Sequence, residues 1–368
     1  MARYILALIA VIGLAGCSSE APAPETQDSA SQAPEADATD LPEVSEQKAL
    51  WQSMTLAQCE PLLQGHQEQT AVLASQVSLL ADAPTADTLR GAQSAWRQAL
   101  SNWGGASLCL QYPLPSASPI PHGARWQRTA AAPALAGFVD AVPGYEDSGI
   151  VHDETMALTL QTLLRQHQVT DDGEVSLGFY ALEVLLFGSV RREPGDFAPA
   201  ADLDSIPLTE QTPAARRSRM ATLLALDLTS QASVWQDYWD DHAGPLNPET
   251  DTATLLWVWS RALEDATRIG ESLARGQIGR ALSSEHDLLY LNGLTQALAH
   301  WWSDPTTLEQ VEQAGISTSD WRATDDRLAA LSADSEPEAF AAATERAARL
   351  LRELSRLLDS ASLPLMPA

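Results

Sequence analysis

Apolar residues recur at helical spacing along nearly the whole of this 368-residue chain, and no stretch alternates convincingly between apolar and polar residues. Between about 45 and 80 the recurring positions include Leu62, Leu73 and Val77. That period predicts one long helix, which either continues past Pro61 or breaks near it, and similar periods return in later segments. The sequence therefore predicts an all-α fold, with enough residues for a substantial core.

Residues 1–16 are similar to a bacterial lipoprotein signal peptide. Arg3 precedes an apolar run from Ile5 to Gly16, which is shorter than the roughly 20 residues that a membrane-spanning helix needs. The run ends in Leu14-Ala15-Gly16-Cys17, which resembles the lipobox that places an acylated cysteine at the mature N-terminus. We expect a lipid anchor on Cys17; the alternative is an ordinary secretory signal in which this cysteine is incidental.

Residues 17–46 have the composition of a disordered acidic linker. They are rich in Ala, Pro and Ser, and they carry eight acidic residues and no basic one. Removing these eight charges from the formal net charge of −27 leaves −19, so the remaining chain is acidic as well. Nucleic acid is therefore not an expected partner, because phosphate binding depends on basic surfaces.

The expected location is the cell envelope, with the protein held by its N-terminal lipid. Ser18 follows Cys17 where an inner-membrane retention signal would place aspartate, which favours the outer membrane and a body facing the periplasm. In that oxidising compartment Cys59 and Cys109 either form a disulfide or remain two free buried thiols. Their spacing alone does not decide between these alternatives.

The segment from Ser176 to Gly188 is apolar almost all round, apart from Tyr180 and Glu183. A helix of this kind is expected at the centre of the fold. The two polar side chains lie three residues apart and so share a face. A buried carboxyl group at this position needs a partner or a raised pKa.

This segment resembles the core motif of the imelysin family, G-x-H-x-x-E followed by an apolar run. Gly178 and Glu183 match the motif, whereas Tyr180 occupies the histidine position. Trp96-Arg97 and the stretch from Ser284 to Leu294 resemble further parts of the same family in the same order. The resemblance implies two pseudo-duplicated helical bundles over 47–362, with halves of about 47–195 and 210–362, and either peptidase activity or association with iron uptake.

A cleft near Glu183 is the candidate site that follows from this resemblance. Tyr180 and Glu183 would offer oxygen donors suited to a hard cation such as ferric iron. The candidate cleft partners are Arg97, His122 at the end of a proline-rich stretch, Glu285 and His286. The alternative is that Tyr180 and Glu183 form a structural hydrogen bond in the core, with Arg97 as a further partner.

Catalytic machinery is not recognisable in this sequence. It contains no H-E-x-x-H and no G-x-S-x-G, and a phenol is a poor zinc ligand at neutral pH. We therefore predict a non-catalytic binding or iron-uptake-associated lipoprotein, whose partner is an envelope protein or a metal-uptake component. The alternative is a metal-dependent peptidase of the imelysin type, with catalytic residues that the sequence does not identify.

Overall fold

A computed structural model describes residues 41–110, 122–200, 203–242, 252–277 and 279–360. The predicted signal peptide, the lipidated Cys17 and the linker up to residue 40 lie outside the described residues. So does most of the proline-rich stretch before His122, together with the side chain of that residue.

The fold is all-α, as predicted. Within the described residues there is no β-strand, and a single isolated bridge joins Val142 and Tyr145. None of the helices in this part of the chain is both long and apolar enough to cross a membrane. The helices are α1 (Leu41–Asp82), α2 (Ala86–Leu110), α3 (His122–Ala130), α4 (Ala136–Val139), α5 (Leu160–Gln166), α6 (Gly178–Phe187), α7 (Pro213–His242), α8 (Thr252–Ala274), α9 (Ser284–Trp302), α10 (Pro305–Gln313), α11 (Thr318–Ala329) and α12 (Pro337–Ser360).

For the first helix, the structure corrects one predicted boundary and decides between two alternatives at Pro61. Helix α1 already begins at Leu41, so the last six residues of the predicted 17–46 linker are helical. Pro42 fits there because proline is tolerated in the first turn of a helix. Pro61 lies inside α1 without ending it, and its side chain faces solvent.

The predicted halves, 47–195 and 210–362, do not pack as separate units. Helix α7 packs against α1, and α9 packs against α2, so each contact joins one predicted half to the other. Apolar residues of α7 such as Leu224 and Leu228 are buried, and the Thr229 hydroxyl donates to the Thr70 carbonyl of α1 at 3.0 Å. Residues from Leu41 onward therefore form one compact unit, in which α8 and α12 form a further helix pair.

Glycines bring α2 and α9 into close contact. A Cβ at Gly293 would lie 1.8 Å from the Ser101 carbonyl oxygen, and a Cβ at Gly104 would lie 2.3 Å from the Tyr290 carbonyl oxygen. Both neighbours are backbone atoms, so a larger residue would force the helices apart. This glycine crossing fixes α9 against α2.

A disulfide joins Cys59 of α1 to Cys109 of α2. Both residues are fully buried, and the bond closes a sequence separation of 50 residues. Of the two alternatives that the sequence left open, the structure has the disulfide. Export to an oxidising compartment is consistent with such a bond.

His66 lies in an aromatic part of the core. Its ring centroid is 5.1 Å from that of Trp103 and 6.1 Å from that of Phe179, and neither ring nitrogen has a hydrogen-bond partner. Complete burial lowers the pKa of this imidazole to about 3. The side chain is therefore neutral at physiological pH, and it acts as an aromatic core residue.

Candidate functional site

Helix α6 is buried along its length, as predicted for the segment that resembles the family motif. Every residue from Gly178 to Leu186 is buried. Gly178 begins the helix with φ +83°, and a Cβ at this position would lie 2.4 Å from the Thr129 carbonyl oxygen of α3. The motif glycine is therefore required by its backbone conformation and by this close approach.

Glu183 is held by the start of α9. Its Oε1 atom lies 2.5 Å from Nδ1 of His286 and accepts a hydrogen bond from the Leu282 N–H at 3.0 Å. The imidazole of His286 packs between the rings of Trp96 and Phe187, with centroid distances of 4.7 and 4.5 Å. Of the predicted cleft partners, His286 is the one in direct contact with Glu183.

Burial raises the pKa of the Glu183 carboxyl group, and the hydrogen bond from His286 only partly opposes this effect. The second carboxyl oxygen, Oε2, is buried and has no hydrogen-bond partner. A buried oxygen of this kind is unusual in a folded protein and marks a place where a further group can bind.

Tyr180 and Glu183 have different neighbours. Its phenol is buried, which raises its pKa well above the ordinary value, so the hydroxyl stays neutral. Arg280, in the segment between α8 and α9, supplies the favourable charge that acts on this phenol. The guanidinium of Arg280 also lies over the ring of Tyr290, at 5.3 Å from its centroid.

Asp287 supports the irregular segment that carries Arg280. Its Oδ1 atom accepts hydrogen bonds from the backbone N–H groups of Arg280 and Ala281, at 3.0 and 3.1 Å. Burial raises the pKa of this carboxyl group to about 6 despite these bonds. Gly279 leaves room for Asp287, because a Cβ there would lie 2.0 Å from Oδ2.

The other predicted partners lie away from the Glu183 carboxyl group. Arg97 and Glu285 face each other at 3.6 Å, and the Glu285 side chain is 71% exposed. Arg97 also lies over the Phe187 ring, at 4.8 Å from its centroid. The alternative in which Tyr180 and Glu183 bond to each other, with Arg97 as a further partner, differs from the contacts in the structure, where Glu183 pairs with His286 and Arg97 lies over the Phe187 ring. The position of His122 relative to the site stays a prediction.

A cavity of about 290 Å³ adjoins Glu183. Residues 133–136, Ala281 and Leu282 supply its apolar lining. Glu183 and Arg280 are the charged residues that line the cavity. The arrangement combines apolar walls with a few polar groups, as is common in small-ligand pockets.

The residues present do not fit the predicted ferric ion. Tyr180 is a neutral phenol, Oε1 of Glu183 is already bonded to His286 and Leu282, and the permanently charged Arg280 lies in the same cluster. Within the part of the chain that the structure describes, no group of three or more His, Cys, Asp and Glu side chains is placed to hold a metal. We therefore derive no chemistry that depends on a metal at Tyr180 and Glu183.

Arg280, Asp287 and Tyr290 complete the cluster and were missed at the level of sequence. Arg280 follows Gly279 in a segment without helical period, so nothing local indicates its role. For Asp287 the sequence did offer a signal, because its carboxyl group lies next to His286, a candidate site residue.

Comparisons with known proteins agree with the helical fold. A family model described as Imelysin, peptidase M75, matches residues 63–362. No curated protein matches the chain. An imelysin-like protein from Psychrobacter arcticus 273-4, known from a crystal structure, has a TM-score of 0.54 and 15% sequence identity, covering 86% of this chain and 94% of that chain. At that identity the likeness concerns the fold alone.

Proposed function

This chain belongs to the imelysin family, and on that premise we propose that it is a non-catalytic binding protein of the cell envelope. Its ligand site is the cavity beside Glu183. It is anchored by lipid on Cys17, at the outer membrane and facing the periplasm. Association with iron uptake, which the family resemblance implies, stays a prediction.

The pairing of Glu183 is the observation that carries this proposal. A carboxylate that activates water must be ionised and must be free to accept a proton. Here burial raises the pKa of Glu183, and one carboxyl oxygen is already held by His286 and the Leu282 N–H. Tyr180 stands where a metal-binding histidine would stand in the motif, and its phenol is neutral. These features favour a binding pocket over a hydrolytic centre.

We expect the protein to cleave an unfolded polypeptide no faster than its Glu183→Gln variant does. The measurement is release of fluorescent peptides from labelled unfolded casein, with and without added divalent metal ions. The Gln side chain keeps the shape of Glu183 and its acceptor oxygen, so the variant is a matched control for folding.

A peptidase would give a different result. Loss of a catalytic acid or base typically slows a reaction by about 100-fold to 10,000-fold. Cleavage by the wild type that falls by such a factor in Glu183→Gln would reject the non-catalytic proposal. Measurable cleavage at equal rates by both proteins would show that the activity does not depend on Glu183, and repeating the assay after a further purification step would identify a contaminating protease.

The Cys17→Ser variant is expected to leave the membrane fraction. Each buried methylene of an acyl chain contributes about 0.8 kcal/mol to membrane binding, so loss of the lipid removes the anchor. The measurement is the share of protein in outer-membrane, inner-membrane and soluble fractions after sucrose-gradient separation. Ser18→Ala is the control. Retention of Cys17→Ser in the outer membrane would contradict the anchor.

A further inference from the structure

The environment of Arg280 indicates what kind of ligand the cavity takes. Arginine stays protonated in proteins, and Arg280 is one of the residues that line the cavity. Among the described residues, the ion pairs with distances within 4.0 Å do not include Arg280. Its Nη1 atom is buried and lacks a hydrogen-bond partner.

Each of the two neighbouring carboxyl groups is bonded to partners other than this guanidinium. The bonded oxygen of Asp287 accepts from two backbone N–H groups, and with a pKa raised by burial to about 6 its carboxyl group is mostly ionised at neutral pH. The pKa of the Glu183 carboxyl group is also raised by burial, and this group pairs with His286. Burial lowers the pKa of Arg280, but the surrounding polar and acidic side chains outweigh that effect and raise it, so the guanidinium keeps its charge. Its Nη1 atom still has no hydrogen-bond partner, and a bound carboxylate would accept from this donor.

The remaining surface of the cavity is apolar. Residues 133–136 are Pro-Ala-Leu-Ala, and they line the cavity together with Ala281 and Leu282. At about 30 Å³ for each water molecule, the volume of about 290 Å³ has room for about ten waters, or for a ligand with a similar number of heavy atoms. A ligand that fits therefore needs a small anionic end and a short apolar part.

We propose that this cavity binds a small organic carboxylate with an apolar substituent, and that Arg280 is the counterion. The planar guanidinium is suited to a carboxylate because two N–H groups can donate in parallel. Glu183 lines the same cavity, and its Oε2 atom has no hydrogen-bond partner, so the protonated carboxyl group can donate from it to the ligand. This inference rests on the proposed binding function and specifies its ligand class.

Hexanoate is the probe, and hexylamine and acetate are the comparisons. Hexylamine has the same apolar chain with the opposite charge, and acetate has the charge without the chain. We expect saturable binding of hexanoate by isothermal titration calorimetry, with weaker binding of acetate and none of hexylamine. Arg280→Gln is expected to weaken hexanoate binding by at least about tenfold.

Arg268→Gln is the matched control for charge. Arg268 lines the neighbouring groove together with Arg280, and its side chain is 65% exposed. We expect this variant to bind hexanoate like the wild type. An equal loss in Arg268→Gln would place the ligand in that groove and would overturn the proposed site.

A second pair of variants does not disturb the buried cluster. Leu135 lines the cavity and is 50% exposed, so Leu135→Trp narrows the cavity from its rim. It should weaken hexanoate binding by at least about tenfold as well. Val169→Trp is the control, because Val169 is 62% exposed and does not line the cavity. This pair keeps the test decisive if Arg280→Gln fails to fold.

Two further outcomes would overturn the carboxylate inference. One is binding of hexylamine in preference to hexanoate, and the other is absence of saturable hexanoate binding. Neither touches the non-catalytic proposal, which the casein assay with Glu183→Gln tests separately. Glu183-dependent cleavage together with hexanoate binding would reject the non-catalytic proposal while retaining the carboxylate site.

Discussion

Replacing His66 with phenylalanine is expected to remove much of the protein's sensitivity to acid. Burial lowers the pKa of His66 from 6.5 to about 3, so between these values the unfolded chain binds a proton that the folded protein does not. The free energy of unfolding therefore falls as the pH drops through this window. From about pH 7 to about pH 4 the expected loss from this one group is roughly 3 kcal/mol, and it reaches about 4 kcal/mol at about pH 3.

Urea unfolding at several pH values measures this effect. Phenylalanine keeps an aromatic ring beside Trp103 and Phe179 but does not titrate. Phenylalanine is larger than histidine, which costs some stability at every pH. The quantity to compare is therefore the change in the free energy of unfolding on acidification. His300→Phe is the control, because His300 is exposed. Equal acid-induced losses in the wild type and His66→Phe would contradict the prediction.

Loss of the disulfide between Cys59 and Cys109 is expected to lower the free energy of unfolding by about 4 kcal/mol, as loop-closure entropy predicts for a separation of 50 residues. Without the bond, the unfolded chain gains freedom that the folded protein does not share. The Cys59→Ala, Cys109→Ala double variant tests this by urea unfolding near neutral pH.

Reduction of the wild type provides an independent comparison for the same bond. Dithiothreitol should bring its unfolding midpoint close to that of the double variant and should leave the variant itself unchanged. An unchanged midpoint in both proteins would mean that the bond contributes little in solution. The expected loss is large relative to ordinary protein stabilities of about 5 to 15 kcal/mol.

Much of the fold was predictable, because the spacing of apolar residues indicates which positions of a helix are buried. The segment around Tyr180 and Glu183 is apolar on all sides, and it is the buried helix α6. Pro61 shows the limit of local signals. Helix α1 continues through it, because packing of α1 against α2 and α7 outweighs the loss of one backbone donor.

The site was predictable only in part, because its residues are far apart in sequence. His286 was identified as a candidate partner, and it contacts Glu183 across a separation of 103 residues. Arg280 was missed because it lies in an irregular segment, where no period relates it to α6. The packing of α7 and α9 against helices of the other predicted half was missed for the same reason, since helical period does not specify which helices pack together.

The glycine crossing between α2 and α9 limits which residues of this protein can be substituted. At Gly104 and Gly293 only a hydrogen atom fits beside the neighbouring backbone, so a larger residue cannot replace either glycine without moving the helices. Helix α9 carries His286 and Asp287 on that fixed support. Substitutions that keep the two glycines therefore leave α9, with His286 and Asp287, in place against α2.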